Sequence, residues 1–164
     1  MSVNKYKPHV HLISEDDANR QLAVGFLGHY AVDDGQVSPR DPAGGWGKVL
    51  DVFEMEYLQK MRENNLAHVV MMIDFDEHVQ ERRAIFDQRI PQDVKERVFV
   101  IGSLSNPETL RAALGISWER IGDMLAQDCL KGDLGAWRHP LLVHNSDELE
   151  RLVKRVKPIL FHAS

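Results

Sequence analysis

The run His68-Val69-Val70-Met71-Met72-Ile73 constrains this chain more than any other feature. It is almost continuously apolar, so a strand made from it needs both faces covered, as in the middle of a parallel sheet. It stops abruptly at Asp74-Phe75-Asp76-Glu77. Val10–Ser14 and Arg97–Ile101 are similar short apolar runs. Between and after them lie segments of helical periodicity: Ala18–Leu27, Lys48–Asn64, Glu81–Ile90, Asn106–Leu114 and Trp118–Leu130. Strands alternating with helices predict an α/β fold, with right-handed crossovers. The expected architecture is a Rossmann-like, mainly parallel sheet of about four strands with helices on both faces.

Local signals refine this outline. Asp16 or Asp17 is a suitable cap for the first helix, and Asn106 with Pro107 for a later one. Residues 31–47 hold four Gly and two Pro. They predict a long loop, functional or mobile, with one short strand near Tyr30–Val32. Leu141–His144 predicts a last short strand, and Asn145 with Glu148 has the spacing of a capping box before a terminal helix. With 164 residues and no linker or repeat, a single domain over 1–164 is expected.

Composition excludes several classes. No apolar run approaches about 18 residues, so no membrane span is expected. The opening MSVNKYKPH lacks the apolar core of a signal peptide, and a cytoplasmic location is expected. The single Cys129 excludes an intramolecular disulfide and a cysteine-cluster zinc site, and it reads as a small buried hydrophobe. The net charge of −5 has the wrong sign for a module that holds nucleic acid by bulk attraction. A metal-dependent enzyme is not excluded, because a bound cation reverses the local charge.

The acids sit where chemistry is expected. Ligands of open parallel sheets bind outside the carboxyl ends of the strands. Glu15 follows the first strand; Asp74 and Asp76 follow the HVVMMI strand. If these strands are neighbours, three carboxylates meet on one edge, and hard oxygen donors at that density suit magnesium or manganese. A single acid in such a place is often only a turn or cap residue; an ordered set of three is harder to explain that way.

Strand-Glu15-x-Asp17, then Gly44-Gly45 leading into a helix, then HVVMMI-Asp74-Phe75-Asp76, resembles the TOPRIM domain shared by topoisomerases, bacterial primases and OLD-type nucleases. The stand-alone, phage-defence and OLD-like versions are the most similar. The resemblance covers roughly residues 9–103, leaving 104–164 as a helical extension. Asp16 stands where the family pattern has glycine. The resemblance implies that Glu15 is a general acid/base or metal ligand and that Asp74 and Asp76 hold Mg2+ or Mn2+. Asp17, Glu77 and Glu108 are further candidate ligands; each also reads as a solvated turn or first-turn acid.

Lys48, with Gly44 and Gly45, is a candidate contact for a substrate phosphate. The segment is not a P-loop, because Val49 sits where Ser or Thr belongs. Arg40 is a weaker candidate of the same kind, and Trp46 is either a base-stacking residue or a loop anchor. His9 and His11 share one strand face and read as satisfied core or edge histidines before they read as a ligand pair. His78 is a minor candidate for a metal or phosphate contact. Arg82-Arg83 and Lys154-Arg155-Lys157 read as solvated helix faces, or else as runs that track a nucleic-acid backbone.

The expected function is metal-dependent phosphodiester cleavage or phosphotransfer on nucleic acid, with a protein partner such as an ATPase as one option. The alternative is a catalytically degenerate module that binds nucleic acid, a nucleotide or a protein. A haloacid-dehalogenase-like phosphatase is a third reading. That family wants Thr or Val two residues after the second Asp, where this chain has His78.

Overall fold

The computed structural model describes residues 3–132 and 135–161, so the ends of the expected 1–164 domain lie outside the described residues. Its strands are β1 (His9–Ser14), β2 (Val37–Pro39), β3 (Ala67–Met72) and β4 (Val98–Ile101). They form one sheet in the order β2-β1-β3-β4, and every pairing is parallel. The helices are α1 (Asp17–Leu27), α2 (Trp46–Val52), α3 (Leu58–Glu63), α4 (Val79–Arg89), α5 (Pro107–Leu114), α6 (Trp118–Lys131) and α7 (Ser146–Leu160).

The period-two alternation of the strands divides the core in two. Val10, Leu12, Val70, Met72 and Phe99 face α1, α6 and α7. Ile13, Val69, Met71, Val98 and Val100 face α2, α3 and α4. The sheet is therefore covered on both faces, as the unbroken apolarity of β3 requires. The chain leaves β1 for β2 on one side and then crosses back to β3 on the other. The β1/β3 boundary is thus the switch point of the sheet, and its carboxyl end is where a ligand is expected.

The expected helix over Lys48–Asn64 starts earlier, at Trp46, and contains one π turn at Phe53–Tyr57. Its cause is the spacing of Val49, Phe53, Tyr57 and Met61, all buried and each four residues apart. In a regular α-helix such a row drifts by about 40° per step. The π turn takes up the drift and keeps all four rings and chains on the sheet.

Three expectations fail locally. Near Tyr30–Val32 there is only an isolated bridge from Val32 to Phe161; the short strand is Val37–Pro39 instead. Leu141–His144 is not a strand, and Val143–Asn145 forms a single 3-10 turn. The Asn145/Glu148 capping box does not form. Both side chains serve the exposed edge of β4: Asn145 Oδ1 accepts the Gly102 N–H at 3.2 Å, and Glu148 Oε2 accepts the Val100 N–H at 3.0 Å. An unpaired edge strand needs such partners, and that demand outweighs the local cap. The Asn106 cap forms as expected, with its side chain accepting the Thr109 N–H at 2.9 Å.

Candidate functional site

Glu15 leaves β1 with its N–H donated to Met72 O at 2.9 Å, so the ladder holds it beside the end of β3. Its Oε2 accepts the Asp74 N–H at 2.6 Å. Glu15 and Asp74 therefore lie on the same edge and in contact. Asp74 is 7% exposed, and its Oδ1 accepts a hydrogen bond from Asn19 Nδ2 at 2.9 Å. The same Asn19 nitrogen donates to Asp16 Oδ1 at 3.0 Å, while Asp16 caps α1 by accepting the Asn19 N–H at 2.9 Å. The cap of α1 and the Asp74 carboxylate thus share one buried amide.

Asp76 and Glu77 both have positive φ, 47° and 67°. Two successive non-glycine residues in that region are strained. The turn is held by the β4–α5 loop, through Phe75 N–H to Ser103 O at 3.1 Å and Glu77 N–H to Leu104 O at 2.6 Å. It presents Asp76 to Arg82, whose guanidinium donates to Asp76 Oδ2 at 2.8 Å and also to the Asp74 carbonyl. Arg82 lies over the Trp46 ring at 4.8 Å.

Burial and crowding show in the acidities. Burial pushes the Asp74 carboxyl up to about 7; Glu15, Asp16 and Asp76 push the same way, and the Asn19 bond opposes them. Burial also raises Glu15, against the stabilising Asp74 N–H. Both carboxyls therefore hold protons more tightly than ordinary acids, and Asp74 does so up to about neutrality.

Glu15, Asp74 and Asp76 share one edge, but their oxygens do not converge on one point. Glu15 is turned to a backbone N–H and Asp76 to Arg82. Among the described residues, no group of three or more His, Cys, Asp or Glu side chains is arranged to hold a metal ion. The donor chemistry of the edge, hard carboxylate oxygen, fits magnesium or manganese.

The remaining candidates are placed as follows. Gly44 donates its N–H to the Glu15 carbonyl at 2.8 Å and has φ 95°, so the Gly-Gly turn abuts the acidic edge. Lys48 folds back over it, its Nζ 3.8 Å from where a Gly44 Cβ would sit. Gly45 is the residue before α2. Asp17 accepts from Gln21 Nε2 at 2.6 Å along the exposed face of α1. Glu77 is exposed, and Glu108 lies exposed in the first turn of α5. Arg40 is bound to Glu56 at 2.8 Å, and His78 sits 3.3 Å from Glu81.

Arg82 and Arg83 correct the expectation of a solvated helix face. The Arg82 side chain is 12% exposed. Arg83 stacks on the Phe75 ring and donates to Val100 O at 3.0 Å. Sequence reasoning also missed Asn19, which is 2% exposed. Its signal was available: a poor helix former three residues after the cap Asp16. Ser14 and Ser103, whose buried hydroxyls have no partner, gave no signal in the sequence. Comparison of the chain with protein-family models, curated proteins and solved structures finds no match.

Proposed function

We propose that the chain is a divalent-metal-dependent enzyme of TOPRIM type that cleaves or transfers phosphodiesters of nucleic acid. The observation that carries this reading is the contact of Glu15 with Asp74 at the β1/β3 switch point, with Asp76 and a strained turn beside them. Carboxylates gathered in this way repel, and such an arrangement is retained where it does chemistry. Asp74 and Asp76 would hold Mg2+ or Mn2+ from the same turn, which leaves the Glu15 carboxylate for proton transfer. The ion would supply charge stabilisation at the phosphodiester.

The chain's own residues divide the remaining work. Glu15, raised by burial, accepts or returns a proton at its carboxylate. Asn19 holds Asp74 in one orientation. Arg82, bonded to Asp76, and Lys48, folded over the Gly44 turn, contact the substrate phosphates in this reading. The side chains of Asp17, Glu77 and Glu108 make none of the contacts described among the acids of this edge, and the reading gives them no role.

The test is cleavage of duplex DNA, single-stranded DNA and RNA in the presence of Mn2+. Wild type is expected to cleave at least one substrate, and Asp74→Asn to lower the rate by at least about 100-fold. Unchanged cleavage by Asp74→Asn contradicts the assignment. A second reading, a binding module without chemistry, is favoured by the Arg82–Asp76 pair, which satisfies Asp76 within the protein itself. It takes precedence if wild type cleaves none of the three substrates.

A further inference from the structure

The sheet face beneath α1, α6 and α7 is not filled. A cavity of about 80 Å³ lies there, against Val10, Leu12, Ala23, Leu125, Cys129 and Val156. The Trp137 Nε1–H is already donated to Leu125 O at 3.2 Å, which leaves the weakly donating Cys129 thiol as the one uncommitted polar group among these lining side chains. Water needs polar partners to occupy such a space, so the cavity suits an apolar guest.

The two helices over it are packed against each other. α1 and α6 touch backbone to backbone at Gly25 and Gly122. A Cβ on Gly25 would stand 2.1 Å from Glu119 O, and one on Gly122 would stand 2.1 Å from Leu22 O. That contact fixes the spacing of the two helices, so neither can move over the cavity without the other.

A second volume of about 30 Å³ adjoins the first and shares Leu22, Met72, Ile101, Leu125 and Trp137 with it. Its lining includes Ser103, which is 5% exposed and whose Oγ has no partner. Neighbouring amides are committed: Asn145 Nδ2 donates to Gly102 O at 2.9 Å, and Asn19 Nδ2 to Asp74 and Asp16. A buried hydroxyl without a partner is uncommon and calls for an explanation.

We infer that the two volumes are one binding site for a small amphipathic molecule, with an aliphatic body in the cavity and a neutral hydroxyl head bonded to Ser103 Oγ. An anionic head is disfavoured, because Asp74 lies just behind Asn19. The Asn19 side chain separates this site from the acidic edge, and the inference does not depend on the phosphodiester reading.

The test is an NMR titration of the full chain with 1-hexanol, hexane and hexanoate. Wild type is expected to bind 1-hexanol saturably, with shifts at the amides of Leu22, Met72 and Ser103. Hexanoate is expected to bind at least about tenfold more weakly than the alcohol. Ser103→Ala is expected to weaken 1-hexanol about tenfold and to leave hexane unchanged. Ala23→Leu and, independently, Cys129→Leu fill the cavity and are expected to abolish binding of both. The inference is overturned if wild type shows no saturable shift, if Ser103→Ala binds the alcohol as wild type does, or if both filled variants still bind.

Discussion

The two ends of the sheet both carry polar side chains and treat them in opposite ways. At the amino end, His9 Nδ1 lies 2.8 Å from Lys7 O and His68 Nδ1 2.9 Å from Leu66 O. Arg97 donates to the carbonyls of Asn64, Ala67 and Met61 within 3.1 Å. Each group there closes its hydrogen bonds on nearby backbone, and His9 and His11 stack edge to face at 5.1 Å as packed rings. At the carboxyl end, acids face acids, two turn residues take positive φ, and two seryl hydroxyls have no partner. A buried polar group satisfied by its own neighbourhood needs no ligand; one whose neighbours disfavour it points to something outside the chain.

Four substitutions break or sharpen this contrast. Gly102→Ala strikes hardest, because a Cβ there would lie 1.6 Å from Ile73 O, where β4 meets the end of β3. It is expected to destabilise by at least about 3 kcal/mol in urea unfolding. Arg97→Met, at the amino end, strips three carbonyls of a charged donor. It is expected to cost about 2–3 kcal/mol by the same measurement, with no effect on cation binding.

Asp74→Asn goes the other way. Removing one of the crowded, buried charges is expected to raise metal-free stability at pH 8 by roughly 1–2 kcal/mol. A loss of stability would make Asp74 structural, like the amino-end groups. His11 gives the smallest effect. Burial, with His9 and Lys60, lowers it to about 4, against 6.5 when unfolded. The unfolded chain takes up the proton first as pH falls, so stability present above about pH 6.5 is lost progressively towards pH 4. The loss is expected to be about 1 kcal/mol by pH 5 after allowing for solvent screening. Melting curves of His11→Phe should lack that part of the slope.

Much of the contrast is legible in the sequence, for physical reasons. Apolar continuity marks β1, β3 and β4, because doubly covered strands tolerate no polar face. The acids after β1 and β3 could be placed on one edge from strand polarity alone. β2 was misplaced, because a three-residue edge strand ending in Pro39 has no pattern to read. The Asn145–Glu148 box misled, because local capping spacing says nothing of an open strand edge four dozen residues away. Asn19 has no signal beyond its place in a helix three residues after Asp16, and Arg82 reads as a solvated helix residue, since their roles depend on which strand end each helix passes. The sheet order brings Glu15 and the Asp74-Phe75-Asp76 turn to one switch point, and the Gly44 N–H bond to the Glu15 carbonyl sets the Gly44-Gly45 turn beside them.

The most direct test of the account is paramagnetic broadening of backbone amide resonances by substoichiometric Mn2+. The central claim is that the carboxyl edge is a cation site and the amino edge is not. The account predicts broadening centred on Glu15, Asp74 and Asp76, fading with distance and sparing His9, His68 and Arg97. Broadening scattered over exposed surface acids, or centred on the histidine end, would contradict it.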